Sequence, residues 1–112
     1  TNWRTMLKGE VPQVDLYEER ERLLTLIADD LAALQSGHGQ AAIRPVSENA
    51  QALEYPVQIW PEKIKANNLD MESVAEGVLQ GIKGQYLILD TGVINIRKYT
   101  GYEVRVRVFA NQ

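Results

Sequence analysis

The chain has 112 residues, of which 45% are hydrophobic and 24% charged, and this balance excludes a disordered or collagen-like chain. Its 12 Lys and Arg residues against 15 Asp and Glu give a net charge of −3, so overall charge does not indicate nucleic acid as a partner. The absence of cysteine excludes disulfides, thiolate metal sites and cysteine nucleophiles. We expect a single domain over residues 1–112, with a helical part over 1–50 and a mostly β part over 51–112.

A short helix is predicted at the start of the chain. Asn2 is a residue type that caps helices with its side-chain oxygen, and a helix after it would run through Leu7. Gly9 suits the left-handed position that ends a helix, and Pro12 is a further break. We therefore expect this helix to stop at Gly9.

A longer amphipathic helix is predicted next. Asp15 is followed three residues later by Glu18, which is the spacing of a capping box. Apolar residues then recur at spacings of four or seven residues and form one stripe, made of Leu16, Leu23, Ile27, Leu31 and Leu34. The pattern predicts one helix from Leu16 to Ser36, with Gly37 as its left-handed C-terminal residue.

After a loop over residues 37–49, the hydrophobic period changes from that of a helix to that of a strand. Leu53, Tyr55, Val57 and Ile59 alternate with other residues, which predicts a half-buried strand. Pro56 lacks the N–H that a central strand would need, so we expect this strand at a sheet edge.

The last forty residues predict four more strands separated by turns. They span residues 74–82, 86–89, 93–96 and 102–108, with a bulge or bend at Gly77 or Gly81 and a hairpin at Asp90-Thr91-Gly92. In the last of these strands Tyr102 and three valines alternate with Glu103 and two arginines. The predicted fold is α+β, with N-terminal amphipathic helices packed on a curved antiparallel sheet or small half-open barrel of about five short strands.

Candidate catalytic residues are few. The single histidine, His38, lies between glycines and has no second histidine or cysteine beside it, which favours a solvated turn over a general base or metal ligand. Asp29-Asp30 and the acidic group near Glu18 fit the polar face of a helix better than a magnesium site. Gly81-Ile-Lys-Gly84 is not followed by a helix, so it fits a sheet bend better than a phosphate loop. We expect no catalytic residues, metal or cofactor.

Basic and aromatic residues near the C-terminus form the one candidate binding set. The chain through Glu72 has 7 basic and 12 acidic residues, whereas the rest has 5 basic and 3 acidic. Curved sheets that bind single strands combine such cations with aromatic side chains. The alternative is that the arginines protect an edge strand from pairing. The candidate nucleic-acid-binding residues are Lys83, Arg97, Lys98, Tyr99, Arg105 and Arg107.

The chain resembles a known protein family whose function is uncharacterised. The stretch from Gly77 to Tyr102, GVLQGIKGQYLILDTGVINIRKYTGY, is similar to the closing segment of the bacterial domain-of-unknown-function family 2797. The opening TNWR, Lys8-Gly9, Tyr55-Pro-Val and PEKIK from Pro61 resemble it too. The resemblance implies a larger parent, with a cysteine-rich, zinc-binding segment and a GIY-YIG-like domain upstream. No residue of this chain matches those parts, so neither activity is carried over.

The expected function is that of a non-catalytic accessory domain from a longer bacterial protein. Thr1 is not Met, no leader follows, and no apolar stretch could span a membrane, so we expect a fragment of a cytoplasmic protein with no membrane partner. Two roles remain open, a nucleic-acid-binding module and a structural, protein-interaction or oligomerisation module. The upstream domains of the parent chain are expected partners in either role.

Overall fold

The computed structural model describes residues 2–110. Its helices are α1 (Trp3–Leu7), α2 (Leu16–Leu26) and α3 (Ala28–His38), and its strands are β1 (Leu79–Lys83), β2 (Tyr86–Leu89) and β3 (Gly92–Asn95), followed by a 3-10 helix over Ile96–Tyr99. The α+β class is confirmed. The predicted five strands and barrel are wrong, because the sheet has three strands in the order β1-β2-β3.

The chain groups into two compact units. One is Pro12–Leu53, which contains α2 and α3, and the other combines Thr1–Val11 with Glu54–Gln112 and contains α1 and the sheet. The short first helix groups with the sheet and not with the other helices. The single domain with parts over residues 1–50 and 51–112 stays a prediction.

Both predicted helix caps are confirmed. The Asn2 Oδ1 accepts hydrogen bonds from the backbone N–H groups of Arg4 (3.1 Å) and Thr5 (3.3 Å). The Asp15 Oδ1 accepts in the same way from the N–H groups of Tyr17 (2.9 Å) and Glu18 (3.1 Å). Each cap satisfies amide groups that the first helical turn leaves without partners.

The predicted single helix from Leu16 to Ser36 is wrong, because it is interrupted at Ile27. This residue has φ −103° and ψ 9°, and it separates α2 from α3. Two local features favour a break here. The Thr25 hydroxyl donates to the Glu21 carbonyl (2.9 Å), a bond that bends helices, and Asp29 and Asp30 suit the positive end of a new helix.

The end of the second long helix also differs from the prediction. Gly37 lies inside α3, and the residue with positive φ (+88°) is Gly39. Neither α2 nor α3 contains a buried residue, and Leu16, Leu23 and Leu34 are all exposed. The packing of the apolar stripe on the sheet therefore stays a prediction.

The sheet is an antiparallel meander with two-residue turns. β1 pairs with β2 from Lys83 opposite Tyr86 onward, and a bulge lies between Leu79 and Gly81, where the sequence predicts one. β2 pairs with β3 in a regular register after the predicted turn at Asp90-Thr91. The local turn chemistry thus fixes which strands are neighbours.

The core lies between α1 and the sheet. Leu7 of α1, Ile88 of β2 and Val93 of β3 are buried together. Partly buried hydrophobic side chains surround them, namely Trp3, Met6, Val57, Ile64 and Tyr86. Trp3 and Tyr86 stack with parallel rings whose centroids are 5.8 Å apart. The first helix therefore closes the apolar face of the sheet.

Two short segments flank the edges of this sheet. Val57 makes a single antiparallel bridge with Gly81, so the strand predicted over residues 53–59 is reduced to one bridge at the predicted edge position. On the opposite edge, Ala66 makes a parallel bridge with Val93. Both edges of the three-stranded sheet are thus partly occupied.

The last predicted strand is absent. Residues 102–110 contain no helix, strand or turn, and every one of them is exposed. The alternating pattern is typical of a strand, but a strand also needs a neighbour that supplies hydrogen bonds. Within the described residues none does so. The segment Tyr102–Phe109 is called the C-terminal segment below.

Candidate functional site

Lys83, a candidate for phosphate contact, is buried. Only 6% of it is exposed, and its Nζ donates to the Met6 carbonyl at 3.0 Å. The same ammonium lies 4.8 Å from the ring centroid of Tyr55 and 5.0 Å from that of Trp60. The hydrogen bond therefore connects β1 to α1, and the two cation–π contacts connect β1 to the segment that contains Tyr55 and Trp60.

The bulge in β1 accounts for the inward position of this lysine. Gly81 and Lys83 are buried while Ile82 between them is exposed, which is the opposite of what hydrophobicity alone suggests. A bulge inserts one residue into one strand, and a shift of one residue exchanges the two faces. Sequence reasoning missed the aromatic neighbours Tyr55 and Trp60, and no signal in the sequence placed their rings beside Lys83.

Tyr99, the candidate base-stacking residue, is also buried. Its hydroxyl accepts from the Leu69 N–H (3.0 Å) and donates to the Asn67 carbonyl (3.1 Å). Its ring meets that of Tyr102 edge to face, with centroids 5.3 Å apart. Tyr99 therefore holds the loop around residue 68 against the 3-10 helix.

The four arginine and lysine candidates other than Lys83 are exposed. Arg97 and Lys98 lie on the 3-10 helix, where the Lys98 Nζ is 5.7 Å from the ring centroid of Tyr99. Arg105 and Arg107 lie in the C-terminal segment. The predicted set is thus divided between two buried residues with internal partners and four cations that face solvent.

The C-terminal segment is attached to the folded unit at its first residue. The Tyr102 hydroxyl donates to a carboxylate oxygen of Asp70 at 2.7 Å. This bond and the charge of the carboxylate raise the pKa of Tyr102 above its usual value, because they favour the protonated phenol. Beyond Tyr102, no hydrogen bond of the described residues involves a side chain of the segment.

The apolar side chains of the C-terminal segment are strongly exposed. Val104, Val106 and Val108 are 62%, 79% and 89% exposed, and Phe109 is 83% exposed. Contiguous exposed apolar residues of this kind mark interaction surfaces. Sequence reasoning identified the alternation but predicted a strand, which the structure does not contain here.

The acidic and histidine candidates do not form a site. Among residues 2–110 no group of three or more His, Asp or Glu side chains is placed to hold a metal ion. Glu19 pairs with Arg22, and this hydrogen bond holds the pKa of the Glu19 carboxyl below its usual value. His38 is an exposed residue at the end of α3.

An open groove of about 560 Å³ borders β1, between residues 54–58 and residues 79–82. Its lining contains a single carboxylate, that of Glu54, and no basic side chain. Because acid–base chemistry needs converging titratable groups, this groove offers no catalytic arrangement.

No helix in the described part of the chain is both long and apolar enough to cross a membrane.

Comparison with known proteins gives one match. The family model described as "Protein of unknown function (DUF2797)" matches residues 1–104. No curated protein and no solved structure matches the chain.

Proposed function

The chain belongs to the DUF2797 family, and we propose that this domain is a non-catalytic protein-interaction module. In this proposal the C-terminal segment supplies a β-strand to a partner. The observation that carries the proposal is the exposure of Val104, Val106 and Val108 in a segment with a strand-like sequence.

The segment combines a strong strand pattern with unused pairing capacity. Valine and tyrosine favour strands, and their alternation with charged residues gives the segment one apolar and one polar face. A partner strand would satisfy the backbone and cover the valines in a single step, as in strand addition to a sheet edge. The bridges at Val57 and Ala66 partly occupy both edges of the domain's own sheet, which favours a partner from outside it.

Nucleic-acid binding is the second candidate function. It is supported by the exposure of Arg97, Lys98, Arg105 and Arg107. It is weakened by Lys83 and Tyr99, because the ammonium and the ring that would contact nucleic acid are used within the domain. The protein-interaction proposal explains the valines as well as the arginines, which would occupy the polar face of the added strand.

Site-specific photo-cross-linking in the cells that naturally produce the protein tests the proposal. A photoreactive amino acid is placed at Val106 in the segment, or at Glu48 as an exposed control outside it. We expect protein adducts from position 106 and none from position 48. The Val104→Lys substitution should abolish the adducts, because it places a charge on the apolar face.

Treating the adducts with nuclease and with protease separates the two candidates. Adducts that only protease degrades support the protein-interaction proposal, whereas adducts that nuclease degrades refute it and favour nucleic-acid binding. Equal adduct yields from Val106 and Glu48 would refute a specific surface of either kind.

Binding to short single- and double-stranded oligonucleotides at two salt concentrations tests the second candidate directly. If the domain binds nucleic acid, replacing Arg105 and Arg107 with glutamine should lower the slope of log affinity against log salt by about two, one for each lost phosphate contact. Undetectable binding at low salt, or binding that the double substitution leaves unchanged, would remove this candidate.

A further inference from the structure

We propose that the partner of the C-terminal segment is the same segment of a second copy of the chain, paired antiparallel about Val104. This inference rests on the proposed function and specifies its partner. The observation behind it is the charge pattern of the exposed segment, because the charges of two antiparallel copies are complementary in one register.

The alternation of the segment limits the registers to consider. Opposite residues of an antiparallel pair lie on the same face. Consider a symmetric pair that keeps Tyr102 and the valines on one face. Its centre must be a residue that lies directly opposite the same residue of the second copy. Within the charged part of the segment, residues 103–107, the possible centres are Glu103, Val104, Arg105, Val106 and Arg107.

Charge decides among these five registers. Centring on Glu103 places two glutamates opposite each other, and centring on Arg105 or on Arg107 places two arginines opposite each other. Centring on Val106 places Arg105 opposite Arg107. Like charges directly opposite destabilise a strand pair.

Centring on Val104 removes every like-charge pair. Glu103 of each copy then lies opposite Arg105 of the other, which gives two opposite-charge pairs related by the twofold axis. Arg107 has no charged residue opposite it, because Gly101, with φ +87°, lies in the turn before the segment. On the apolar face Tyr102 lies opposite Val106, an aromatic and β-branched pair of the kind that stabilises sheets.

The position of the segment in the structure is compatible with this pairing. Its residues are all exposed, and the hydrogen bond between Tyr102 and Asp70 anchors one end to the folded unit. Pairing would cover the side chains of Val104 and Val106 in part. Because a two-stranded ribbon alone is marginally stable, the association is expected to be weak and to require concentrated protein.

Charge reversal tests the register. Sedimentation equilibrium over a range of protein concentrations should give about tenfold weaker dimerisation for Glu103→Arg and for Arg105→Glu, because each converts both opposite-charge pairs into like-charge pairs. A mixture of the two variants should form a heterodimer with restored affinity. The matched control is Arg107→Glu, which should leave dimerisation unchanged. Circular dichroism should show the same folded content for all variants, because these residues are exposed.

A single introduced cysteine gives an independent test. The natural chain has no cysteine, so Val104→Cys provides one thiol for each copy. Residues directly opposite in antiparallel strands have Cα atoms about 4.5–5.5 Å apart, within the range that a disulfide bridges. Mild oxidation should give a cross-linked dimer at this position, and Val108→Cys should give much less, because Val108 does not face its own copy.

The outcomes separate this inference from the proposed function. A protein that stays monomeric at every concentration refutes pairing with a second copy. Under that result, protease-sensitive adducts of a different protein at Val106 would leave the proposed function standing, and their absence would refute both. Dimerisation that Arg107→Glu weakens, while the mixture of Glu103→Arg and Arg105→Glu is not restored, refutes the Val104 register.

Discussion

Replacing Lys83 with methionine tests whether the buried ammonium stabilises the fold. The substitution keeps most of the apolar stem but removes the hydrogen bond from the ammonium to the Met6 carbonyl. A hydrogen bond from a charged donor contributes about 1.5–3 kcal/mol, and the carbonyl still accepts from the Gly9 N–H at 3.2 Å. It also removes two cation–π contacts with partly exposed rings, each contributing about 0.5–1 kcal/mol. The variant no longer buries the charged ammonium of Lys83, and the desolvation cost that this avoids offsets part of the loss. We expect the free energy of unfolding to fall by about 2 kcal/mol.

Thermal and urea unfolding followed by circular dichroism measure this effect. In a domain of this size, about 2 kcal/mol corresponds to a fall in melting temperature of roughly 10 °C. Lys63→Met is the matched control, because Lys63 is exposed and should tolerate the same exchange. The reasoning is refuted if the two variants differ in unfolding free energy by less than about 0.5 kcal/mol.

Three further predictions concern the core, a turn and a hydrogen bond. Leu7→Ala should lower the free energy of unfolding in urea by about 2–5 kcal/mol, because Leu7 is fully buried, and an equal effect from the exposed Val108→Ala would contradict this account. Gly9→Ala should lower the free energy of unfolding by more than about 1 kcal/mol in the same assay, because Gly9 has φ +77° and a Cβ there would lie 2.7 Å from the Trp60 ring. An unchanged stability would show that this ring moves away freely. Asp70→Asn should lower the pKa of Tyr102 in an NMR titration with labelled tyrosine, because the neutral amide favours the protonated phenol less. A pKa that stays in place would show that the hydrogen bond does not form in solution.

The parts of the fold that sequence predicts well depend on local chemistry. Asn2 and Asp15 cap helices because their side chains reach amides two or three residues away. The hairpin at Asp90-Thr91 and the bulge beside Gly81 are likewise set by residues close in the chain. Predictions of this kind need no knowledge of distant contacts.

The parts that sequence predicts poorly depend on partners distant in the chain. The bulge places the Lys83 side chain on the buried face of the sheet. Only the folded arrangement shows that Tyr55 and Trp60 lie beside its ammonium. The segment after Tyr102 has the clearest strand pattern of the chain and forms no strand, because pattern describes a face and pairing requires a neighbour. The six candidate binding residues separate into buried and exposed groups for the same reason, because the burial of a side chain depends on contacts distant in the chain.

The order in which the sheet and α1 follow along the chain has a consequence for folding kinetics. The three strands are joined by two-residue turns, so their contacts form over short loops, whereas the bond from Lys83 to Met6 spans 77 residues. Closing that long loop costs conformational entropy, which contacts with an already formed sheet must offset. We therefore expect the hairpins to be formed in the transition state and α1 to dock after it. Substitutions at Leu7 should then mainly accelerate unfolding, whereas substitutions at Ile88 should mainly slow folding.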